Sequence, residues 1–185
     1  MDDHKIYSIG HGSRTIEEFI SLLKKYDISF LVDVRSKPAS RFNAHFNHFS
    51  LLAVLKMNGI RYVYMGHSLG GMPQDESCYD KFGHVNYDTV KKKDFFLKGI
   101  SRLESAFKQQ LKIACMCSES SPCECHRSKL IGTALKEMSI PMVHIDRNGL
   151  LRDQDDVMRE VMENDKNLDL FETTLSTLKS RKSYR

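Results

Sequence analysis

Lys5-Ile-Tyr-Ser-Ile9, Gly10-His-Gly12, the stretch from Thr15 to Tyr26 and Ser29-Phe-Leu-Val-Asp-Val34 decide the fold when they are read in that order. The first is a short apolar strand, and the glycines that follow suit a chain leaving it at unusual backbone angles. Thr15 with Glu18 three residues on is a capping box, and Ile16, Phe19, Ile20 and Leu23 then recur at helical spacing. Ser29 to Val34 is apolar on both faces, as in a strand inside a parallel sheet, and carries Asp33 and Arg35 at its C-terminal end.

The same alternation continues along the chain. A helix is expected around Ser50 to Met57, closed by Asn58-Gly59, then a strand at Arg61 to Met65. The stretch from Gly66 to Lys93 has weak periodicity and is longer than a connection requires, which suits a functional loop. Further elements are a helix from Asp94 to Gln109, a strand at Lys112 to Met116, a helix from His126 to Met138, a strand at Pro141 to Ile145 and a helix from Asp155 to Glu163. The expectation is a single α/β domain, with a mostly parallel sheet and helices on both faces. Sites in such sheets lie outside the C-terminal strand ends, where five loops should converge.

With 185 residues and 41% apolar composition, the chain is long enough to bury a core without disulfides or structural metal. It carries 28 Lys plus Arg against 24 Asp plus Glu, but the last seven residues, Lys179 to Arg185, hold four of the cations and no acid. The expected division is therefore a neutral domain over residues 1–178 and a basic, disordered tail over 179–185, with no global footprint for a polyanion. Apolar runs are too short for a membrane span, and the N-terminus lacks the apolar region of a signal peptide. Four of five cysteines lie between Cys115 and Cys125, a local site rather than a distributed disulfide framework, which points to the reducing cytoplasm.

Cys117-Ser-Glu-Ser-Ser-Pro-Cys-Glu-Cys-His-Arg127-Ser128 joins a strand to a helix. A helix start offers free N–H groups to an anion, and Arg127 adds a bidentate donor. Cys125, beside His126 at that start, is the thiol whose ionisation the setting should favour. Against this stands a plain packing role for Cys115 and Cys125. Cys115, Cys117, Cys123, Cys125 and His126 are also soft ligands. Their spacing departs from the Cys-x2-4-Cys knuckle, and adjacent Cys125 and His126 side chains should diverge, so neither metal nor other cofactor is expected. A disulfide from Cys117 to Cys125 or Cys123 is a further alternative.

His11, between two glycines, is read as an acid, base or phosphate donor, or as a turn cap. Asp33 and Arg35 share one side of an extended chain, either as an internal ion pair or in ligand contact. Arg41 lies in an irregular polar stretch suited to an anion. Phe46 and Phe49 are expected to anchor the following helix in the core.

Ile9-Gly-His11 with Arg14 and Glu17-Glu-Phe19, Val32-Asp-Val-Arg35, Pro38, Ser40-Arg41, Leu69-Gly-Gly71 and the Cys117-x-Glu119-x2-Pro122-x2-Cys-His-Arg127 run resemble the family catalogued as domain of unknown function 488, over about residues 5 to 147. The resemblance implies a compact α/β domain of bacterial and archaeal cytoplasmic proteins and transfers no activity. It extends to Cys117, Glu119, Cys125, His126 and Arg127, whereas Cys115 and Cys123 look like additions. Gly12 stands where a Ser is common in such proteins, and Met72 where an Arg is common. Val32-Asp-Val-Arg35 and Cys117 followed by Arg127-Ser128 are also faintly similar to rhodanese-like domains, although the loop is much longer here.

The functional expectation is an enzyme, a hydrolase or transferase acting on a phosphate-bearing, nucleotide-like or nucleic-acid ligand. Glu119, Cys125 and His11 are its candidate catalytic residues. Arg35, Arg41, Gly70, Gly71, Cys117, His126, Arg127 and Ser128 are the candidate ligand contacts. The alternatives are rhodanese-like sulfur or phosphoryl transfer through a loop cysteine and a non-catalytic sensor of the same anion. No membrane partner is expected.

Overall fold

The computed structural model describes residues 4–40, 42–166 and 178–184. β1 (Ile6–Gly10) leads through α1 (Ile16–Lys25) to β2 (Phe30–Asp33), and α2 (His48–Met57) joins β2 to β3 (Arg61–Tyr64). Short helices α3 (Gly66–Leu69) and α4 (Tyr87–Lys91) precede the long α5 (Asp94–Lys108) and β4 (Ile113–Cys117). A π-helical turn (Arg127–Gly132) runs directly into α6 (Thr133–Glu137), followed by β5 (Met142–Ile145), β6 (Leu151–Asp153) and α7 (Gln154–Lys166).

Local signals account for the element ends. Thr15 accepts from the Glu18 N–H and the Glu18 carboxylate accepts from the Thr15 N–H, completing the capping box of α1. Asn58 caps α2, and Gly59, at φ +73°, turns the chain into β3.

The six strands form one sheet in the order β3-β2-β4-β1-β5-β6, parallel except for β6, which pairs antiparallel with β5. Alternate side chains enter separate cores. Tyr7, Ile9, Leu31, Ala114 and Met116 pack against Phe19 and Leu23 of α1 and Leu51 and Leu55 of α2. Ile6, Val32, Ile113, Cys115 and Cys117 face the side of α5 and α6, with Phe96, Leu103, Leu130 and Leu135. This is the expected single α/β domain with helices on both faces. The chain leaves β1 toward β2 over one face and leaves the neighbouring β4 toward β5 over the other, so a topological switch point lies between the ends of β1 and β4. Among the described residues, no helix is long and apolar enough to cross a membrane.

One element is added to the expected set and two local expectations are corrected. Strand β6 lacks a sequence signal because its three residues, Leu-Arg-Asp, are too few for alternation to register. Phe46 is fully buried as expected, but Phe49 is 81% exposed, because it occupies the outer face of α2 while Leu51 and Leu55 point inward. The C-terminal segment is held rather than loose: Lys179 bridges Asn86, the Ser180 N–H donates to the Val85 carbonyl, and the Val85 N–H donates to Ser180 Oγ at 2.8 Å. Lys179 and Arg181 also form ion pairs with Asp80 and Glu124. Backbone pairing and a buried Ser180 supply what a count of charges does not register.

Candidate active site at the β1–β4 switch point

The chain leaving β4 crosses the end of β1. The N–H groups of His11 and Gly12 donate to the carbonyls of Cys117 and Ser118 at 3.0 and 2.9 Å. A Cβ on Gly10 would stand 1.8 Å from the Glu119 carbonyl oxygen, so only glycine lets the two segments come this close. The crossing carries Glu119 back over the end of β4, and Pro122–Glu124 forms a 3-10 turn that delivers Cys125 and His126 to the same place.

The result is a compact group of reactive side chains. Glu119 Oε2 lies 2.9 Å from Cys117 Sγ and 3.6 Å from Cys125 Sγ. His126 Nδ1 is 3.7 Å from each sulfur. Cys117, Cys125 and His126 are buried, while Glu119 is partly exposed. The adjacent Cys125 and His126 side chains converge, against the divergence expected at a regular helix start. Cys125 remains in extended backbone (φ −111°, ψ 147°) before the helical turn begins.

Arg127 underlies this group and is completely buried. Its Nε donates to Cys125 Sγ at 3.2 Å, one terminal nitrogen donates to the Glu119 carbonyl at 2.6 Å, and the other donates to Ser8 Oγ at 3.2 Å. Behind it a chain of buried polar groups runs from Ser8 Oγ to His144 Nδ1 (2.6 Å), from His144 Nε2 to Gln154 Oε1 (2.6 Å), and from Gln154 Nε2 to the Ser128 carbonyl (3.0 Å). Ser8 stands opposite both Cys115 and His144 in the sheet, so strand register builds this chain. Ser128 Oγ donates to the Pro122 carbonyl at 2.6 Å and locks the loop to the helix.

Burial alone opposes ionisation of Cys125, yet hydrogen bonding with Cys117 and the charges of Arg127 and His126 outweigh it and hold this thiol well below its ordinary range. The Cys117 thiol is pushed up by the same hydrogen bond and by burial. Burial pushes the Cys115 thiol up to about 12, as befits a core residue. Cys123 packs elsewhere, against Val157 and Met158 of α7.

Of the sequence-derived candidates, Cys117, Glu119, Cys125, His126 and Arg127 come together. Gly71 joins them from the loop after β3, its backbone lying so close that a Cβ there would be 2.9 Å from His126 Nδ1. Gly70 packs instead on Ser36 and the Gly66 carbonyl. Arg35 and His11 form a neighbouring unit. Arg35 makes a two-point ion pair with Asp33 (2.9 and 2.6 Å) and donates to the Phe46 carbonyl at 2.8 Å. His11 stacks on Phe46 and donates from Nδ1 to the Gly12 carbonyl, and burial holds its imidazole down to about 4, hence neutral. Arg35 and Arg127 thus direct their guanidinium donors into the protein. Arg41 lies outside the described residues.

Ser8, His144 and Gln154 carry no local signal in the sequence, because a strand serine and a strand histidine 136 residues apart meet only through the pairing of β1 with β5. Tyr87 and Tyr184 are likewise without one. Burial, together with the sulfurs and the Glu119 charge, raises both phenols, and Tyr87 packs in the same core as Cys117 and Cys125. Alongside the loop, outside the ends of β4 and β5, is a cleft of about 600 Å³ whose lining includes Ser120 and Ser121, the cations Arg147 and Arg152 and the acids Glu124, Asp146 and Glu160.

A doubly wound α/β protein with buried Cys117, Cys125, His126 and Arg127 gathered around a partly exposed Glu119 at its switch point is the class that these features define. A family model described as Domain of unknown function DUF488 matches residues 15–134, and the chain belongs to that family. Neither the curated proteins nor the solved structures contain a match to the chain, and the faint rhodanese-like similarity gains no support.

Proposed function

We propose that the chain is an enzyme that hydrolyses a small anionic substrate or transfers a group from it, with the Cys117, Glu119, Cys125, His126 cluster as its centre. The observation that carries this reading is the position of Glu119: one carboxylate oxygen touches both buried sulfurs while the residue reaches solvent. A carboxylate in that position can take a proton at the centre and exchange it with water, which passive recognition of an anion does not need. The adjoining cleft is mixed in charge, with Glu124, Asp146 and Glu160 beside Arg147 and an Arg152 paired to Glu160, so the donors left for a substrate anion there are Arg147 and the Ser120 and Ser121 hydroxyls. Arg127 acts from beneath by holding Cys125 and the Glu119 backbone in register.

The test is turnover of two chemically distinct anionic probes, p-nitrophenyl phosphate for hydrolysis and thiosulfate with cyanide for sulfur transfer. The expected result is turnover of one of them, lowered in Glu119→Gln by about 10²-fold or more with little change in KM. Wild-type protein inert toward both probes, together with ligand binding unaltered in Glu119→Gln, would make it a sensor instead.

A further inference from the structure

Among the described residues, Cys117, Cys125 and His126 bring three ligating atoms within 4.8 Å of one another. We propose that Cys117 Sγ, Cys125 Sγ and His126 Nδ1 bind one zinc-class divalent cation whose fourth position faces Glu119. The inference rests on this cluster being the centre of the enzyme but not on the reaction assigned to it.

Four features support it. The first is distance: tetrahedral zinc, with bonds of about 2.3 Å to sulfur and 2.0–2.1 Å to nitrogen, puts a sulfur and a nitrogen ligand about 3.6 Å apart. Both Cys–His separations are 3.7 Å. The second is orientation. His126 Nε2 donates to the Val34 carbonyl at 3.2 Å, which fixes the ring with Nδ1 toward the sulfurs and leaves Nδ1 as the atom that gives up its proton to a metal. A ligating histidine is characteristically held in this way through its other nitrogen.

The third is crowding. Two sulfurs and the Glu119 carboxyl converge within hydrogen-bond reach of one another above the buried Arg127, and a cation that displaces the thiol protons would replace sulfur–carboxyl crowding with ligand bonds. The fourth is the set of donors around sulfur: both the backbone N–H and Nε of Arg127 point at Cys125 Sγ, at 3.5 and 3.2 Å, which suits a thiolate whose remaining lone pair faces a cation. Two sulfurs with one imidazole select a borderline-soft ion over magnesium or calcium. With three protein ligands and a fourth position beside a partly exposed carboxylate, the arrangement is that of a catalytic rather than a closed structural site.

The 185-residue chain, reduced and stripped of metal, is titrated with Co²⁺ and then with Zn²⁺. The expected result is thiolate-to-cobalt charge-transfer absorption with tetrahedral visible bands, saturating near about one equivalent and abolished by zinc. Cys117→Ser and Cys125→Ser should each weaken binding by more than about 10-fold, while Cys115→Ser and Cys123→Ser bind as wild type. Because a ligand variant can fail to fold, the wild-type protein is also alkylated with and without Zn²⁺ and mapped by mass spectrometry. Protection of Cys117 and Cys125, with Cys78 and Cys123 unaffected, is expected. The absence of a thiolate-to-cobalt band in folded wild-type protein, or equal labelling of Cys117 and Cys125 with and without zinc, would overturn the proposal. Protein that shows no cobalt band but turns over an anionic probe would remove the ion and leave the enzyme; protein that binds cobalt and zinc as expected but is inert to every probe would do the reverse.

Discussion

The Val34 carbonyl aims His126: by accepting from Nε2 at 3.2 Å it turns Nδ1 toward Cys117 and Cys125. Ninety-two residues separate the two. The loop after β2 therefore sets the geometry of a loop after β4.

Gly71 backs the same imidazole. A Cβ at this position would lie 2.9 Å from Nδ1 and 3.0 Å from Cγ of His126, so Gly71→Ala should tilt the ring. The expected outcome is ~10–100-fold weaker zinc binding, read by competition with a chromogenic chelator. The stability cost should be only about 1–3 kcal/mol. Wild-type affinity in this variant would mean that the ring is not held by the glycine.

Asp33 and Arg35 are 0% and 3% exposed, so removing either partner leaves a charge in the interior. Asp33→Ala should destabilise the protein by about 3–5 kcal/mol in urea unfolding. It also removes the acceptor for Tyr62 Oη at 2.7 Å. The paired change Asp33→Asn with Arg35→Met should recover part of that loss, and a double variant as unstable as Asp33→Ala would argue against the buried-charge explanation.

His11 and His144 are buried, and desolvation holds both imidazoles down to about 4, against 6.5 in the unfolded chain. Between these values the unfolded state binds more protons, so stability is complete above about pH 6.5 and is lost as pH falls toward 4. The loss should be on the order of 3 kcal/mol for each imidazole. Urea midpoints measured at intervals across that window should fall steadily, and the fall should be shallower in His144→Gln. A flat profile between pH 6.5 and 4 would refute the assignment of neutral buried rings.

Ser180 joins the C-terminal segment to the body by accepting from the Val85 N–H and donating to the Lys182 carbonyl. Ser180→Ala should cost about 1–3 kcal/mol, because the Val85 N–H is left buried without a partner. Hydrogen exchange at Val85 and Tyr87 should accelerate. Unchanged exchange at both amides would show that the segment does not protect them.

Alternation, caps and apolar runs determined the strands and helices of this protein, because these signals act between residues a few positions apart: Thr15 with Glu18, Asn58 with Gly59, and the doubly apolar run through Val32. The cysteine loop and five of its functional candidates were legible for the same reason, since they occupy one short segment. Tertiary structure decided everything that depends on which strands are neighbours. Inserting β4 between β1 and β2 puts Cys117 over Gly10, and placing β5 beside β1 joins Ser8 to His144 across 136 residues of sequence. The same packing turned Arg35 and Arg127 into internal braces, although in sequence an arginine bound to Asp33 or to a backbone carbonyl looks no different from one waiting for an anion. It also made adjacent Cys125 and His126 converge, because the direction of a side chain follows from the backbone around it, and that backbone is extended only because the loop folds over the end of β1.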